Sequence, residues 1–381
     1  MTPQAPESSR PSQEQLRPLR VVAIGGGTGL STLLKGLKHH VLQPGFEPDE
    51  EPSSGVSISE LSAVVTVSDD GGSSGRLRKD FNILPPGDIR NCIVALSEDE
   101  TLLSRLFQYR FSKGTALEGH SFGNLFVTAL TAVTGDFAEA VKLSSEVLAT
   151  RGRIFPATTS NVQLDGWMKD GSRVRGETNI TASQQRIAQL RLVPANARPL
   201  PQTLEAIRNA DVITMGPGSL FTSLIPNVLV RGVSEAIASS PATRIYICNL
   251  MTQANESLGL SAAEHIQAIY THARHRLFHY ALVNRSPVSE QLKSKYALEG
   301  ASQIFCDVEA ILALGVQPVC GDYLEEYGGV ARHATDRVAR DVLALGLGLA
   351  TEGSREACFE MHRTTSGNAH QVPLSANAPK R

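Results

Sequence analysis

Cysteine is sparse and unpaired in this sequence. The five residues Cys92, Cys248, Cys306, Cys320 and Cys358 are odd in number, widely scattered and form no CxxC pair. That pattern indicates neither a zinc site nor a disulfide framework, and buried free thiols in a reducing compartment are expected. Charge of one sign is missing too. A net charge of −2 offers no general attraction to nucleic acid or an anionic membrane. The basic stretch His272, Arg274, His275, Arg276 and His279 is short and lacks interleaved aromatics, so it reads as a solvated helix face. No run of 18 apolar residues occurs, and LALGLGLA near Leu343 is too short to span a bilayer. Residues 1–19 have no apolar core of a secretory signal; their Pro, Gln and Ser content reads as a disordered leader. Residues 351–381 lose periodicity and read as a disordered tail. A soluble cytoplasmic protein without membrane insertion or nucleic-acid binding is expected.

What the chain has is glycine in two telling places. VVAIGGGTGLS, from Val21 to Ser31, and DVITMGPGSLFTS, from Asp211 to Ser223, each read as strand, glycine turn, hydroxyl-bearing helix start. Such a turn aims backbone N–H groups and a positive helix end at an anion. The first loop gives Gly25, Gly26, Gly27, Thr28, Gly29 and Leu30 as candidate ligand contacts; the second gives Gly216, Gly218, Ser219, Leu220 and Thr222. Neither common fingerprint is complete. Counted from Gly25, the sixth position of GxGxxG is Leu30, and from Gly27 it is Thr32; no Gly-Lys-Ser/Thr follows. A standard kinase or NTPase is therefore not expected.

Strand and helix patterns alternate along the chain. Val21–Ile24 reads as a buried strand, a helix follows to about residue 40, and AVVTVSDD from Ala63 reads as the next strand. Residues 43–60 resemble a surface insertion, 87–149 a helical block, and 154–193 a small antiparallel β subregion. From Asp211 the alternation resumes. The fold class predicted is α/β, Rossmann-like, with a mostly parallel sheet and helices on both faces, as one domain over residues 20–350.

Asp69 and Asp70 are predicted at the carboxyl end of the second strand, where open α/β sheets bind ligands. They are candidates to accept from a ribose hydroxyl or to hold a phosphate-bound Mg²⁺. Gly72 and Ser73 follow in a hydroxyl-rich loop, with Arg76 and Arg78 within reach of a phosphate. Asp88, near a helix N-cap, and the polar Arg90 and Asn91 are further candidates. His120, Ser121 and Asn124 open another helix, with Ser121 as its cap and His120 as a hydrogen-bonding or structural histidine. Asn227 and Asn249 lie near element ends and are placed to read a sugar or base edge.

Taken in order, GGGTGLS, DDGGSSG, PPGDIRN, GHSFGNL, MGPGSLFTSLIPN and CNLMTQ resemble the YvcK-type gluconeogenesis-factor family, related to CofD-type 2-phospholactate transferases. The resemblance covers about residues 20–349. It implies a CofD-like fold and a cytoplasmic protein that binds a UDP-sugar, notably UDP-N-acetylglucosamine. It further implies a role in cell shape and wall synthesis under gluconeogenic growth. Tyr296 and Arg332 are implied as contacts of the nucleotide sugar, a homodimer and an unidentified protein partner go with it, and Thr335, which reads from sequence as a plain helix N-cap, is a candidate phosphorylation position. The chain departs from the family pattern at Ala254-Asn255-Glu256-Ser257, where relatives carry a glycine turn. The rival expectation is a Mg²⁺-dependent transferase of the 2-phospho-L-lactate type, with Asp69 and Asp70 on the metal. A third is NAD(P) binding without transfer, kept open by Asp69.

Overall fold

The computed structural model describes residues 17–42, 56–98, 102–183 and 185–353. Most of the expected leader, tail and insertion lies outside these residues. Two boundaries differ from expectation. Leu19 is fully buried and opens the first strand, and Ile58–Glu60 already belong to the second.

Seven parallel strands build the main sheet: β1 (Leu19–Gly25), β2 (Ile58–Val65), β3 (Arg153–Pro156), β7 (Val212–Met215), β8 (Thr243–Ile247), β9 (Tyr280–Asn284) and β10 (Gln317–Gly321). Between them in the chain come β4 (Gln163–Met168), β5 (Arg173–Arg175) and β6 (Ile187–Val193), which form a separate antiparallel sheet in the order β5-β4-β6. β3, expected within that antiparallel region, instead pairs in parallel with β2. Its alternating IFP edge looks the same in either setting, and only the partner decides. A hairpin of β11 (Leu324–Tyr327) and β12 (Val330–His333) follows β10.

The main sheet runs β10-β9-β8-β7-β1-β2-β3. Strand order therefore reverses between β1 and β7, which pair from Val21↔Val212 to Ile24↔Met215. Both glycine loops leave the sheet at that reversal, where the diverging connections open a crevice. Near-continuous apolar strands such as VVAI and VITM suit a sheet covered on both faces. The helix Gly27–Lys38 packs against Gly87–Leu96 and Thr335–Gly346. Its Leu30, Leu33, Leu34 and Leu37 recur at helical spacing and are all buried. No single helix among the described residues is long and apolar enough to cross a membrane. Cys92, Cys248 and Cys306 are free and buried, as expected, whereas Cys320 is disulfide-bonded.

Candidate functional site

The first glycine loop is closely packed at Gly26 and Gly29. Gly26 is extended, and a Cβ there would lie 2.6 Å from Thr66 Cγ2 and 2.8 Å from Asp88 Oδ2. Gly27 has φ +62°, a conformation that side chains resist. Gly29 lets the two loops touch, since a Cβ would fall 2.3 Å from the Pro217 carbonyl oxygen. Thr28 is exposed on the crevice but caps nothing; the N-cap is Gly26. Leu30, by contrast, is fully buried in the core and presents no side chain to a ligand.

The second loop departs from the expected phosphate logic. Gly216 has φ +90° and backs onto the Ile247 carbonyl, as a tight turn requires. The Gly218 N–H, however, donates to Asn249 Oδ1 at 3.0 Å, and Asn249 Nδ2 donates back to the Gly218 carbonyl at 2.8 Å. Asn249 thus clamps the loop with both ends of its amide. The helix start beyond it is also taken. Glu256 accepts from the Thr222 N–H at 2.9 Å and lies against the N–H groups of Phe221 and Leu220. Its carboxylate occupies the positive helix end that an external anion was expected to fill. Desolvation, partly offset by these bonds, raises the Glu256 pKa to about 7. Thr222 and the fully buried Leu220 are therefore parts of the scaffold. Asn227 is too: fully buried, it donates to the Gly25 carbonyl at 3.1 Å and the Ser223 carbonyl at 2.7 Å. The missing glycine turn beside Glu256 is replaced by Asn255 at φ +61°, a residue type that tolerates this region.

β2 ends at Val65, so Asp69 and Asp70 sit in the loop beyond it. Asp70 accepts from the Glu177 N–H at 3.0 Å, the Thr178 N–H at 2.9 Å and the Thr178 hydroxyl at 2.7 Å. It caps the short helix Glu177–Ala182 from outside and ties the antiparallel sheet to the crevice. Asp69 Oδ1 accepts from the Gly71 N–H at 2.8 Å. Arg78 holds this loop through the Asp69 carbonyl and Asn161, and Arg76 donates to the Glu118 carbonyl at 2.8 Å. Gly72 opens its helix at φ +48° facing open space. Asp88, beside Gly26, has its pKa raised to about 6 by desolvation and by the charge of Asp69. Glu177, which no motif marks, brings a further carboxyl toward Asp69 and Asp88.

Ser73, His120 and Asn124 form a buried network away from the glycine loops. Ser73 Oγ lies 3.0 Å from His120 Nδ1 and accepts from Asn124 Nδ2 at 3.1 Å. Burial holds the His120 pKa below its usual value. Ser121 caps the helix Phe122–Thr134 by accepting from the Asn124 N–H at 3.2 Å, as expected.

One cleft of about 330 Å³ gathers what remains. One wall is the first glycine loop from Gly26 to Gly29, and the floor carries Gly218 and Ser219. Tyr296 and Arg332, implied only by resemblance, form the facing wall. Tyr296 accepts from the Ala331 N–H at 3.2 Å and packs on Leu250, Met251 and Leu292, which fixes its ring. Arg332 is exposed on β12 with no hydrogen-bond or ion-pair partner among the described residues, and is the cleft's one formal charge. His333 beside it is pushed down to about 4 by burial and hydrogen-bonds the Cys248 carbonyl at 3.0 Å. A second cleft opens across Thr28 and Arg332 and contains Arg90, Asn91 and Thr335. Arg90 donates to Asn91 Oδ1 at 2.6 Å. Thr335 is the first helical residue, not the cap, which is Ala334.

A seven-stranded parallel sheet with a crevice at its topological reversal defines a Rossmann-like α/β protein. The sequence model of 2-phospho-L-lactate transferase CofD matches residues 21–324. Relatives include the gluconeogenesis factor of Halalkalibacterium halodurans, 45% identical over 85% of this chain and 95% of its own length. The gluconeogenesis factor of Bacillus subtilis is 43% identical over 84% and 96%, respectively. The putative gluconeogenesis factor of a Nostoc strain is 47% identical over 85% and 68%. A crystal structure of a UPF0052-family protein from Bacillus halodurans superposes with a TM-score of 0.79 at 45% identity, covering 86% of this chain and 99% of that one. The chain belongs to the YvcK-type gluconeogenesis-factor family within the CofD-like proteins.

Proposed function

We propose that the first cleft binds a nucleotide sugar, UDP-N-acetylglucosamine first among them. In this reading the chain is a cytoplasmic regulator of cell shape and wall synthesis during gluconeogenic growth, acting as a homodimer on a protein partner. The observation that supports it is the convergence of Gly26–Gly29, Tyr296 and Arg332 on one cleft from three distant stretches of sequence. The helix start at Gly27 favours a diphosphate, the unpaired Arg332 guanidinium can hold it bidentately, and the fixed Tyr296 ring offers a face to uracil. Magnesium fits the expected pair poorly. Asp70 has both oxygens committed to the helix it caps, and among the described residues no group of three His, Cys, Asp or Glu side chains is placed to hold a metal.

The test is calorimetric titration with UDP-N-acetylglucosamine, with and without Mg²⁺, against GDP and NAD. Saturable UDP-sugar binding without turnover is expected. Arg332→Ala, which removes an exposed charge, should weaken it by roughly 10- to 100-fold, the value of a charge-assisted bidentate contact, with little change in melting temperature. No binding of any UDP-sugar to the folded chain would overturn the reading. Metal-dependent release of GMP from a lactyl-diphosphoguanosine donor would replace it with the transferase.

A further inference from the structure

The second cleft, about 600 Å³, lies beside the first and shares Thr28, Thr32, Arg332 and His333 with it. Its charge is lopsided. Lys35 from the helix Gly27–Lys38, Arg90 from the helix Gly87–Leu96 and Arg332 from β12 all line it. None of the three forms an ion pair among the described residues. Glu325 is the one acid on the lining; it stands opposite Arg332 in the β11–β12 register without closing a bridge to it. Arg90 is half-buried, and its sole side-chain hydrogen bond among the described residues goes to neutral Asn91. Burial depresses the Arg90 guanidinium, Arg110 adds repulsion, and Asp88 behind it offsets only part of this. A partly desolvated cation without a bonded carboxylate is costly unless an anion arrives to neutralise it.

We propose that this second cleft is an anion site that takes the phosphoryl or carboxylate group of a small molecule, held by Lys35, Arg90 and Arg332 beside whatever fills the first cleft. The three cations come from three separate elements that the fold brings to one cleft. The shared Arg332 links the two clefts. The anion belongs either to a second, free molecule or to a distal group of the ligand in the first cleft. The inference does not depend on that ligand being a UDP-sugar.

The experiment is titration of inorganic phosphate into the full-length chain, alone and with saturating UDP-N-acetylglucosamine, followed by phosphorus NMR line broadening. Lys35→Gln and Arg90→Gln are each expected to weaken phosphate binding by about fivefold, and the double variant by more than tenfold, as loss of one or two nearby charges predicts. Lys35 is exposed on its helix, so its variant should fold even if Arg90→Gln does not. Phosphate binding that persists under saturating UDP-sugar supports a separate molecule. Displacement combined with sensitivity to Lys35→Gln supports the site but gives it to the diphosphate of the ligand in the first cleft. Phosphate binding indifferent to both substitutions, or no phosphate binding at all, overturns the proposal. If UDP-N-acetylglucosamine itself does not bind, the phosphate arm still decides, so the two readings fail separately.

Discussion

Replacing Gly29 with alanine is expected to abolish ligand binding in the first cleft and to destabilise the fold by about 3 kcal/mol, near the upper end for an overpacked site. The clash is with main chain. The new Cβ would meet the Pro217 carbonyl oxygen at 2.3 Å, its carbon at 2.6 Å and Gly218 Cα at 2.9 Å. Backbone held by the Asn249 clamp on one side and the β1–β7 pairing on the other cannot rotate away as a side chain would. The loops must separate, and the cleft between them loses its wall and floor together. Gly25→Ala is the matched control. The nearest atoms to its Cβ belong to the Leu30 and Leu224 side chains, at 3.4 Å or more, so a change below about 1 kcal/mol is expected. Thermal melts and UDP-N-acetylglucosamine titration of the pair check this. Equal behaviour of the two variants would show that contact between the loops does not hold the cleft together.

That contrast marks how far the sequence was legible. Alternating VVAI, VITM and RIYI runs separated by helical patterns disclose a parallel sheet, because period and burial are local properties. The first glycine loop was legible for the same reason. The second misleads. MGPGS has the composition of an anion loop, yet Glu256, 34 residues beyond Thr222, supplies the anion from within the chain. Nothing local to the loop records that an acid elsewhere will fold onto its helix end. Asp70 misleads in the same way: its position beyond a strand suits a ligand, but its bonds run to Glu177 and Thr178 more than 100 residues away. Tyr296 and Arg332 were visible only through resemblance, since a tyrosine on a short helix and an arginine on a hairpin carry no pattern. Lys35 was not visible at all. It reads as an ordinary basic residue in the last turn of a helix until Arg90 and Arg332 are placed beside it.

Glu177→Gln should stabilise the protein, and increasingly so as the pH rises. The Glu177 pKa is raised to about 9, first by desolvation and then by the charges of Asp69, Asp88, Asp70 and Glu256. An acid whose folded pKa lies above its unfolded value binds more protons folded than unfolded. Between about pH 4.5 and 9, its contribution to stability therefore falls as pH rises. Below that window both states carry the proton, and glutamine should make little difference. At pH 8 the gap should reach roughly 2–3 kcal/mol, after discounting the full shift for the partial exposure of the carboxyl. The comparison between variant and parent matters more than either curve alone. Histidines with lowered values, His333 at about 4 among them, gain stability with rising pH below about 6.5 and would mask the trend. Glu256 and Asp88 are raised like Glu177, so they deepen the parent's decline, though Glu256 completes its share near pH 7. Above that, Glu177 is still titrating when Asp88 and Glu256 have largely completed their share. Chemical denaturation of parent and variant at pH 5 and pH 8.5 checks the sign. A gap that does not widen between the two would mean that the Glu177 carboxyl faces water in solution, and that the acids at the crevice do not act on one another.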